Sequence, residues 1–458
     1  MAARVLVVGG GIAGLSAAVD LVDDASVTVE VWEASDRLGG KIASSHFAGL
    51  DHIDEGADAF LTRVPHAVEF ATRLGVTDLT APTAATAAVW HNGLHTIPDG
   101  VLLGIPASIR PFITTGLLSW TGKLRAALEP FLPPTHPDDS IGRLVRARFG
   151  DQVHERLVDA LVGSIYATDT DRSSLAAVPQ LAALASSHRS LLLGARAARR
   201  SIPATAAGAP IFGAPRAGMA SLVGAAGRYI ADRGGTVRTS RPVISIEPGL
   251  SGWTVDGETF DAVVLATPGL AAAPLLTHVA PPAARILDGF EHADIVMVRL
   301  GVQAQTWPDR LRNRSGYLVP KPDQRYVTAA SFGSQKWAHW KPADGTQIVR
   351  VSLGRDGLPV DGLDDDEIAT ATLSEVGRHL EFDLQPTEIS ITRWPDAFPQ
   401  YRPHHHQRVD ALEAALPPTV ALAGASYRGI GIPACIADGQ RAVRRIKQAI
   451  ANADGLLS

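Results

Sequence analysis

The chain opens on a short block pattern. Residues 5–8 are an unbroken apolar run, as a strand buried on both faces requires. Small residues follow at 9–14, then apolar positions at helical spacing to about residue 22, then a second strand pattern over 27–32 that closes on Glu33. This reads as strand, tight turn, helix, strand. Helical periodicity dominates 121–200, in segments expected at 123–132, 140–149, 152–165 and 181–200. Strand patterns return at 236–246, 253–255 and 262–266, and again at 294–300, 326–332, 348–353 and 388–394. Helices at 365–380 and 408–415 interrupt them. A last strand at 420–423 runs into glycine, and a final helix covers about 434–451. Residues 205–215, rich in Ala, Gly and Pro, read as a connector.

The turn after the first strand carries chemistry. Gly9, Gly11 and Gly14, with Gly10, Ile12 and Ala13 between them, fit a dinucleotide fingerprint. The first glycine permits the turn, the second lets a pyrophosphate approach the backbone, and the third lets helix and strand pack closely. The helix start then offers free N–H groups to phosphate. Glu33, at the end of the second strand, is placed to accept hydrogen bonds from a ribose. Near the other end of the chain, 421–425 is again a strand ending in glycine, followed by Gly429-Ile430-Gly431-Ile432-Pro433 and a helix. Two strand–glycine–helix units at opposite ends of one chain suggest one long cofactor, FAD, held at both its pyrophosphate and its ring system.

Composition narrows the class. With 458 residues the chain needs more than one core. Net charge −5 gives no argument for nucleic acid. The single cysteine, Cys435, excludes an intrachain disulfide and a cysteine metal cluster, in keeping with a cytoplasmic protein. The N-terminus enters a strand at once, so no signal peptide is expected. In the most apolar window, 101–120, two prolines and Arg110 rule out an integral span and leave a surface-attached helix as the alternative. Three tempting sites have plainer readings. His404-His405-His406 lacks acids or cysteines at ligand spacing, so a polar loop and no metal site is expected. Asp364 to Glu367 precedes a helix and reads as a cap. Cys435, in a helix start, reads as packing rather than as a flavin-linking thiol.

Glu33 through Lys41, with Gly39-Gly40 eight residues after the acid, resembles the N-terminus of the FAD-dependent amine oxidase and protoporphyrinogen oxidase superfamily. The stretches 94–100, 164–169, 393–395, 399–401 and 422–436 resemble porphyrinogen oxidases, and 111–126 and 328–339 are similar to the coproporphyrinogen III oxidases of Gram-positive bacteria. The resemblance implies an α/β (α+β) fold, with a Rossmann-like FAD-binding domain assembled from residues 1–70, 203–270 and 395–458. It implies a β-sheet substrate domain from 71–93 and 271–394, and a helical subdomain over 94–202. It implies FAD, bound non-covalently. Its contacts fall on Gly9, Gly10, Gly11, Ile12, Ala13 and Gly14, on Glu33 and Ala34 for the ribose, and on Lys41. They continue on Gly56, Ala57, Asp58 and Ala59, on Val243 by its backbone, and on Trp394, Ala425, Ile430, Gly431 and Ile432. Ala57 and Ala434 depart from the family's usual proline and aspartate.

The activity implied is oxygen-linked oxidation of coproporphyrinogen III in haem biosynthesis, releasing H2O2. Protoporphyrinogen IX oxidation is the near alternative and amine oxidation the distant one. No side chain is required as a catalytic base. Substrate contacts are expected at Arg63 and Lys336, with an apolar wall at Tyr317 and Leu318. The partners expected are the porphyrinogen and O2, with the next haem-pathway enzyme as a candidate for product hand-off, and the chain as monomer or homodimer. A flavin-binding scaffold that only hands porphyrin on is the non-enzyme alternative.

Overall fold

A computed structural model describes residues 2–133, 140–201 and 210–457. Its first layer is a five-stranded, all-parallel sheet in the order Thr236–Arg238, Val27–Trp32, Ala3–Val8, Ala262–Leu265 and Val420–Leu422. Four of its strands are fully or largely buried, which explains their unbroken apolar runs. On one face lie the opening helix Ile12–Val22, the closing helix Ile432–Leu457 and the helix Ala220–Asp232, around a core of Leu15, Val19, Leu222, Ile436 and Val443. The opening and closing helices touch: a Cβ on Gly439 would meet the Ala13 carbonyl oxygen at 2.3 Å, and the Ser16 hydroxyl donates to the Ile436 carbonyl at 3.0 Å. The other face is covered by a small antiparallel sheet (Ile246–Pro248, Trp253–Val255, Glu258–Phe260) and the helices Gly269–Leu275, Pro281–Asp288 and His405–Ala414.

The second layer is a seven-stranded mixed sheet in the order Pro386–Gln400, Glu291–Val302, Gln347–Leu353, Val327–Phe332, Arg314–Leu318, Thr86–Trp90 and Leu94–Thr96. Helix Asp365–Leu380 packs on one face of it. Its N-terminus is the capping box expected from the acidic run: Asp364 accepts from the Glu367 N–H, and Glu367 reaches back to the Asp364 N–H. Near the other end of this sheet, Val89 and Leu318 pack on a third, helical core built from Ile141–Phe149, His154–Gly163, Pro179–Ser187 and Leu191–Arg200.

Several expected elements differ. The strand expected at 236–246 breaks after Arg238: Ser240 takes a left-handed φ of 51°, and its N–H and that of Arg241 donate to the Ser35 and Glu33 carbonyls instead of continuing a ladder. The helix expected at 181–200 is two helices, because Ser190 caps the second and the buried Glu129 carboxylate accepts the Leu191 N–H at 2.9 Å. The 101–120 window is no long helix: Val101–Leu102 pairs with Ile105–Pro106, Ile109–Thr114 is a short helix, and Trp120 opens a separate one, Trp120–Ala127. In the expected connector, Phe212–Pro215 is a strand joining Phe60–Leu61 to Leu79–Thr80, while 202–209 lies outside the described residues.

Candidate functional site: a glycine-lined cleft where the two ends of the chain meet

The first strand delivers Gly9 at φ +104°, a conformation that suits glycine. A Cβ on Gly14 would lie 2.0 Å from the Gly9 carbonyl oxygen, so the third glycine is required by packing. Gly11 differs. A Cβ there would meet nothing within 4 Å, and Gly11 caps the opening helix with no side chain over its N–H groups. An open surface over an uncapped helix start is what a pyrophosphate needs. Gly39 and Gly40 close the turn from the other side, Gly39 donating its N–H to the Gly10 carbonyl at 2.8 Å. Glu33 braces this turn: it accepts from the Gly10 N–H at 2.7 Å and from the Ser35 N–H and hydroxyl at 2.8 Å. Ala34 follows it, and the hooked segment after Arg238 bonds to the Ser35 and Glu33 carbonyls through Ser240 and Arg241, two residues before Val243.

Lys41 leads away from the glycine turn. Its ammonium donates to the carbonyls of Asp396, at 3.2 Å, and of Ala397. Burial holds its pKa below the ordinary lysine value. Residues 53–58 come next, and two arginines pin them. Arg299 and Arg350 stand opposite each other on adjacent strands, both buried. Arg299 donates to the Ile53 carbonyl at 3.2 Å; Arg350 donates to the Gly56 carbonyl and lies 3.2 Å from the Asp58 carboxylate. Asp58 also accepts from Lys336 at 2.7 Å and from the Trp337 indole at 3.0 Å. Burial alone would lift the Asp58 carboxyl, but Lys336 and Arg350 outweigh it and hold the group well below the usual carboxylate range. The Trp394 indole donates to the Glu55 carbonyl at 3.3 Å, with its ring edge against Gly56. Ala57 is exposed and Ala59 half-buried.

The C-terminal segment completes the cleft. Gly429 has φ +135° and leads through Ile430 and Gly431 into the closing helix at Ile432. Tyr401 ties this segment to Ala425: its hydroxyl donates to the Ala425 carbonyl at 2.6 Å and accepts from the Gly429 N–H at 2.7 Å, while its ring stacks on His405 at 3.9 Å. Cys435 is buried behind this turn, and burial pushes its thiol up to about 12, so it is a packed, protonated side chain at neutral pH. His405 and His406 bind the Tyr427 and Ala176 carbonyls, and no group of three or more potential metal ligands occurs among the described residues.

The structure therefore brings together Gly9–Gly14, Glu33, Ala34, Lys41, 56–59, Trp394, Ala425 and 430–432, with Val243 two residues past Arg241, which bonds to the Glu33 carbonyl. The expected substrate residues scatter. Arg63 is exposed, on the loop between Phe60–Leu61 and Pro65–Arg73. Lys336 does not stand free for a substrate carboxylate; it is paired with Asp58. Tyr317 is turned away: alternation along its strand buries it in the core under helix Asp365–Leu380, with its hydroxyl 3.1 Å from His379. Its neighbour Leu318 faces the helical core. Tyr427 is fully buried and offers no aromatic face to a flavin. Sequence reasoning missed Arg299, Arg350, Trp337 and the bridging role of Tyr401. The signal for the arginines was present, since each interrupts an otherwise apolar strand (Val298-Arg299-Leu300, Val349-Arg350-Val351).

An uncapped helix start over an open glycine, an acid at the end of the second strand, and a second glycine turn opening the closing helix fit a protein that holds a flavin cofactor. The description of the flavin containing amine oxidoreductases matches residues 12–447, and the chain belongs to that family, as a flavin oxidoreductase. Among its relatives, the coproporphyrinogen III oxidase of Bacillus subtilis is 32% identical over 96% of this chain and 97% of its own length. The human protoporphyrinogen oxidase is 26% identical over 96% of this chain and 98% of its own. A solved structure from Exiguobacterium sp. 255-15, provisionally named a protoporphyrinogen oxidase, superposes with a TM-score of 0.86 at 26% identity, covering 98% of this chain and 99% of that one.

Proposed function

We propose that this chain is an FAD-dependent coproporphyrinogen III oxidase of haem biosynthesis. The observation that supports it most is full-length similarity, at 32% identity, to the Bacillus subtilis coproporphyrinogen III oxidase. Six electrons and six protons leave the porphyrinogen, three O2 are consumed, three H2O2 form, and the product is coproporphyrin III.

In this reading the parallel sheet with its two end segments is a Rossmann-like FAD domain assembled from 1–70, 203–270 and 395–458. The large sheet is the substrate domain, 71–93 and 271–394, and 94–202 is the helical subdomain. Strand Leu94–Thr96 falls in the 94–202 range yet pairs in the large sheet, and strand Pro386–Gln400 crosses the boundary at 394/395 while staying in that sheet. FAD is read as bound without a covalent link, and the one cysteine, buried and protonated at neutral pH, offers no thiolate for one. Its pyrophosphate lies over Gly9–Gly14, where the start of the opening helix donates N–H groups. Glu33 and Ala34 hold the ribose and the Val243 backbone meets the adenine. Lys41, residues 56–59, Trp394, Ala425 and 430–432 surround the flavin ring.

Bound FAD would supply the two-electron redox chemistry that links the porphyrinogen to O2. The chain itself supplies position and charge. The N–H groups that open the closing helix favour negative charge at the ring. Arg299, Arg350 and Lys336 fix the 53–58 loop, so that its backbone is a rigid wall. Arg63 and Leu318 remain the proposed substrate contacts, charged and apolar respectively; Lys336 acts through Asp58. No side chain needs to act as base, because pyrrole N–H protons can leave to solvent.

The test is oxygen consumption by the purified yellow protein with coproporphyrinogen III and with protoporphyrinogen IX. A higher kcat/KM for the first supports the proposal. Equal or better turnover of the second assigns the chain to protoporphyrinogen oxidation. Failure to bleach under anaerobic mixing with either would make it a scaffold.

A further inference from the structure

The stretch 164–169 has no part in the cleft described so far, yet the fold carries it there. His154–Gly163 is wound as a π-helix, and Ser164–Tyr166 is the helical turn that ends it. The turn stops at Ala167, which takes a left-handed φ of 46°. Ala167 is buried with Ile295 and Ala397, and Trp394 packs against them. Trp394 belongs to the proposed flavin wall, and the Ala397 carbonyl holds Lys41. Tyr166, one residue earlier, packs its ring on the helical core, where Leu318 packs too. Tyr166 thus links the proposed flavin wall, through Ala167, to the proposed substrate contact Leu318. It also lies within electrostatic reach of Tyr401, whose hydroxyl bridges Ala425 and Gly429.

Distant groups hold this turn in place. The Ala167 carbonyl accepts from the Asp356 N–H at 2.9 Å and from the Gln400 amide at 3.3 Å. Arg355, itself buried, donates to both oxygens of the buried Asp159 carboxylate at 2.9 Å and also to the Thr168 carbonyl. The one acid of the stretch, Asp169, is paired with Lys321 at 2.7 Å. Tyr166 is the exception. It is half-buried, and its hydroxyl bonds to no other described residue. Burial raises its phenol above the ordinary tyrosine value, so the group stays neutral at physiological pH. A tyrosine with a packed ring normally finds a partner for its hydroxyl. Here every neighbouring polar group is spent on positioning the backbone, and the hydroxyl is left for a ligand.

We propose that the Tyr166 hydroxyl is a substrate contact that accepts a hydrogen bond from a pyrrole N–H of the bound porphyrinogen, a contact that rests on the function proposed above. Position selects the pyrrole. Tyr166 adjoins the proposed flavin wall, where the reacting ring carbon must lie, so the tetrapyrrole core comes closer to it than the propionate rim does. Chemistry agrees. A neutral phenol oxygen can accept from an N–H, whereas a carboxylate is better served by a guanidinium. Loss of two electrons leaves positive charge on the pyrroles and makes their N–H groups stronger donors. The hydrogen bond therefore strengthens on the way to the transition state, which is where a contact raises kcat. The bonds of Arg355, Asp356 and Gln400 to 167–168 keep the hydroxyl in register.

The experiment compares the full-length, flavin-loaded protein with its Tyr166→Phe variant. The substitution removes one oxygen that holds no other described residue, so the packing survives it. Flavin bleaching on anaerobic mixing with coproporphyrinogen III should slow about tenfold. In steady state kcat should fall with it, while KM stays within about twofold. Protoporphyrinogen IX should show the same loss, because the two substrates share the tetrapyrrole core. FAD affinity and melting temperature should match the parent's. An unchanged bleaching rate would overturn the inference. So would a loss accompanied by weaker FAD binding or a lower melting temperature, which would make Tyr166 a structural residue. A rise in KM confined to coproporphyrinogen would overturn it as well, by giving the hydroxyl to a propionate. If the parent itself bleaches with neither porphyrinogen, the proposed function falls and this contact with it, a result read from the parent alone.

Discussion

One hydroxyl bridges the two parts of the C-terminal segment proposed to face the flavin. Tyr401 donates to the Ala425 carbonyl and accepts from the Gly429 N–H, and its ring is held independently by stacking on His405. Tyr401→Phe removes both hydrogen bonds and keeps the stack. Each is worth about 0.5–1.5 kcal/mol, so FAD affinity should fall roughly tenfold while the apoprotein stays folded; an FAD titration followed by flavin fluorescence reads it. Glu33 is a stricter case. Its carboxylate already holds the Gly10 N–H and Ser35, so Glu33→Ala loses the proposed ribose acceptor and the brace on the glycine turn together. Loss of charge-assisted hydrogen bonds of about 1.5–3 kcal/mol each should lower FAD affinity at least about tenfold in the same titration. Affinity equal to the parent would remove Glu33 from the site.

Elements were legible in the sequence where one local rule decided them. The opening strand–glycine–helix unit, the helix after Asp364 and the last strand with its glycine turn all carry their own signals: buried apolar runs, a capping acid, helical periodicity. What escaped was decided by distant partners. The 236–246 segment has strand composition, but Ser240 and Arg241 bond to Ser35 and Glu33. Hairpin strands Ser44–Phe47 and Leu50–Asp54 have too short and mixed a pattern to declare themselves, and Asp54 shows why they matter. Its carboxylate takes the Met219 N–H at 2.8 Å and the Ser44 hydroxyl, tying the hairpin to the helix Ala220–Asp232. Burial is the largest influence on it and raises its pKa to about 6, despite these bonds. The fold thus prefers the protonated acid. Its contribution to stability is complete below about pH 4 and is lost as the pH rises through about 6. Asp54→Asn keeps a neutral side chain at every pH, so the variant should gain on the parent between pH 4 and pH 8 by up to about 3 kcal/mol. Melting curves across that range check it; a constant difference would show that Asp54 is ionised throughout.

At the scale of the whole molecule, the chain spends its two ends, with the segment from Ala220 to Leu265, on one layer and most of the rest on two others. The opening and closing helices pack side by side, and the cleft lies where this layer meets the large sheet, through contacts such as Lys41 with Ala397 and Arg350 with Gly56. Most charges near this junction are already committed: Lys336 and Arg350 to Asp58, Arg299 to the 53–58 loop, Arg402 to Glu291 and Asp356. A substrate with four propionates needs cations that are not spent in this way. Arg63 is exposed, on the loop that continues from the pinned 53–58 segment, and among the described residues it has no carboxylate partner. Its planar fork suits a carboxylate. A contact to a propionate at the substrate's rim is remote from the meso carbons and is made equally in ground and transition states. Arg63→Ala should therefore raise KM for coproporphyrinogen several-fold, by about 0.5–1.5 kcal/mol for one solvent-facing contact, and leave kcat close to the parent's. With protoporphyrinogen, which has two propionates, the same substitution should change KM less. Steady-state oxygen consumption with both substrates measures this difference. An equal effect on the two, or a fall in kcat without a change in KM, would take Arg63 out of propionate binding.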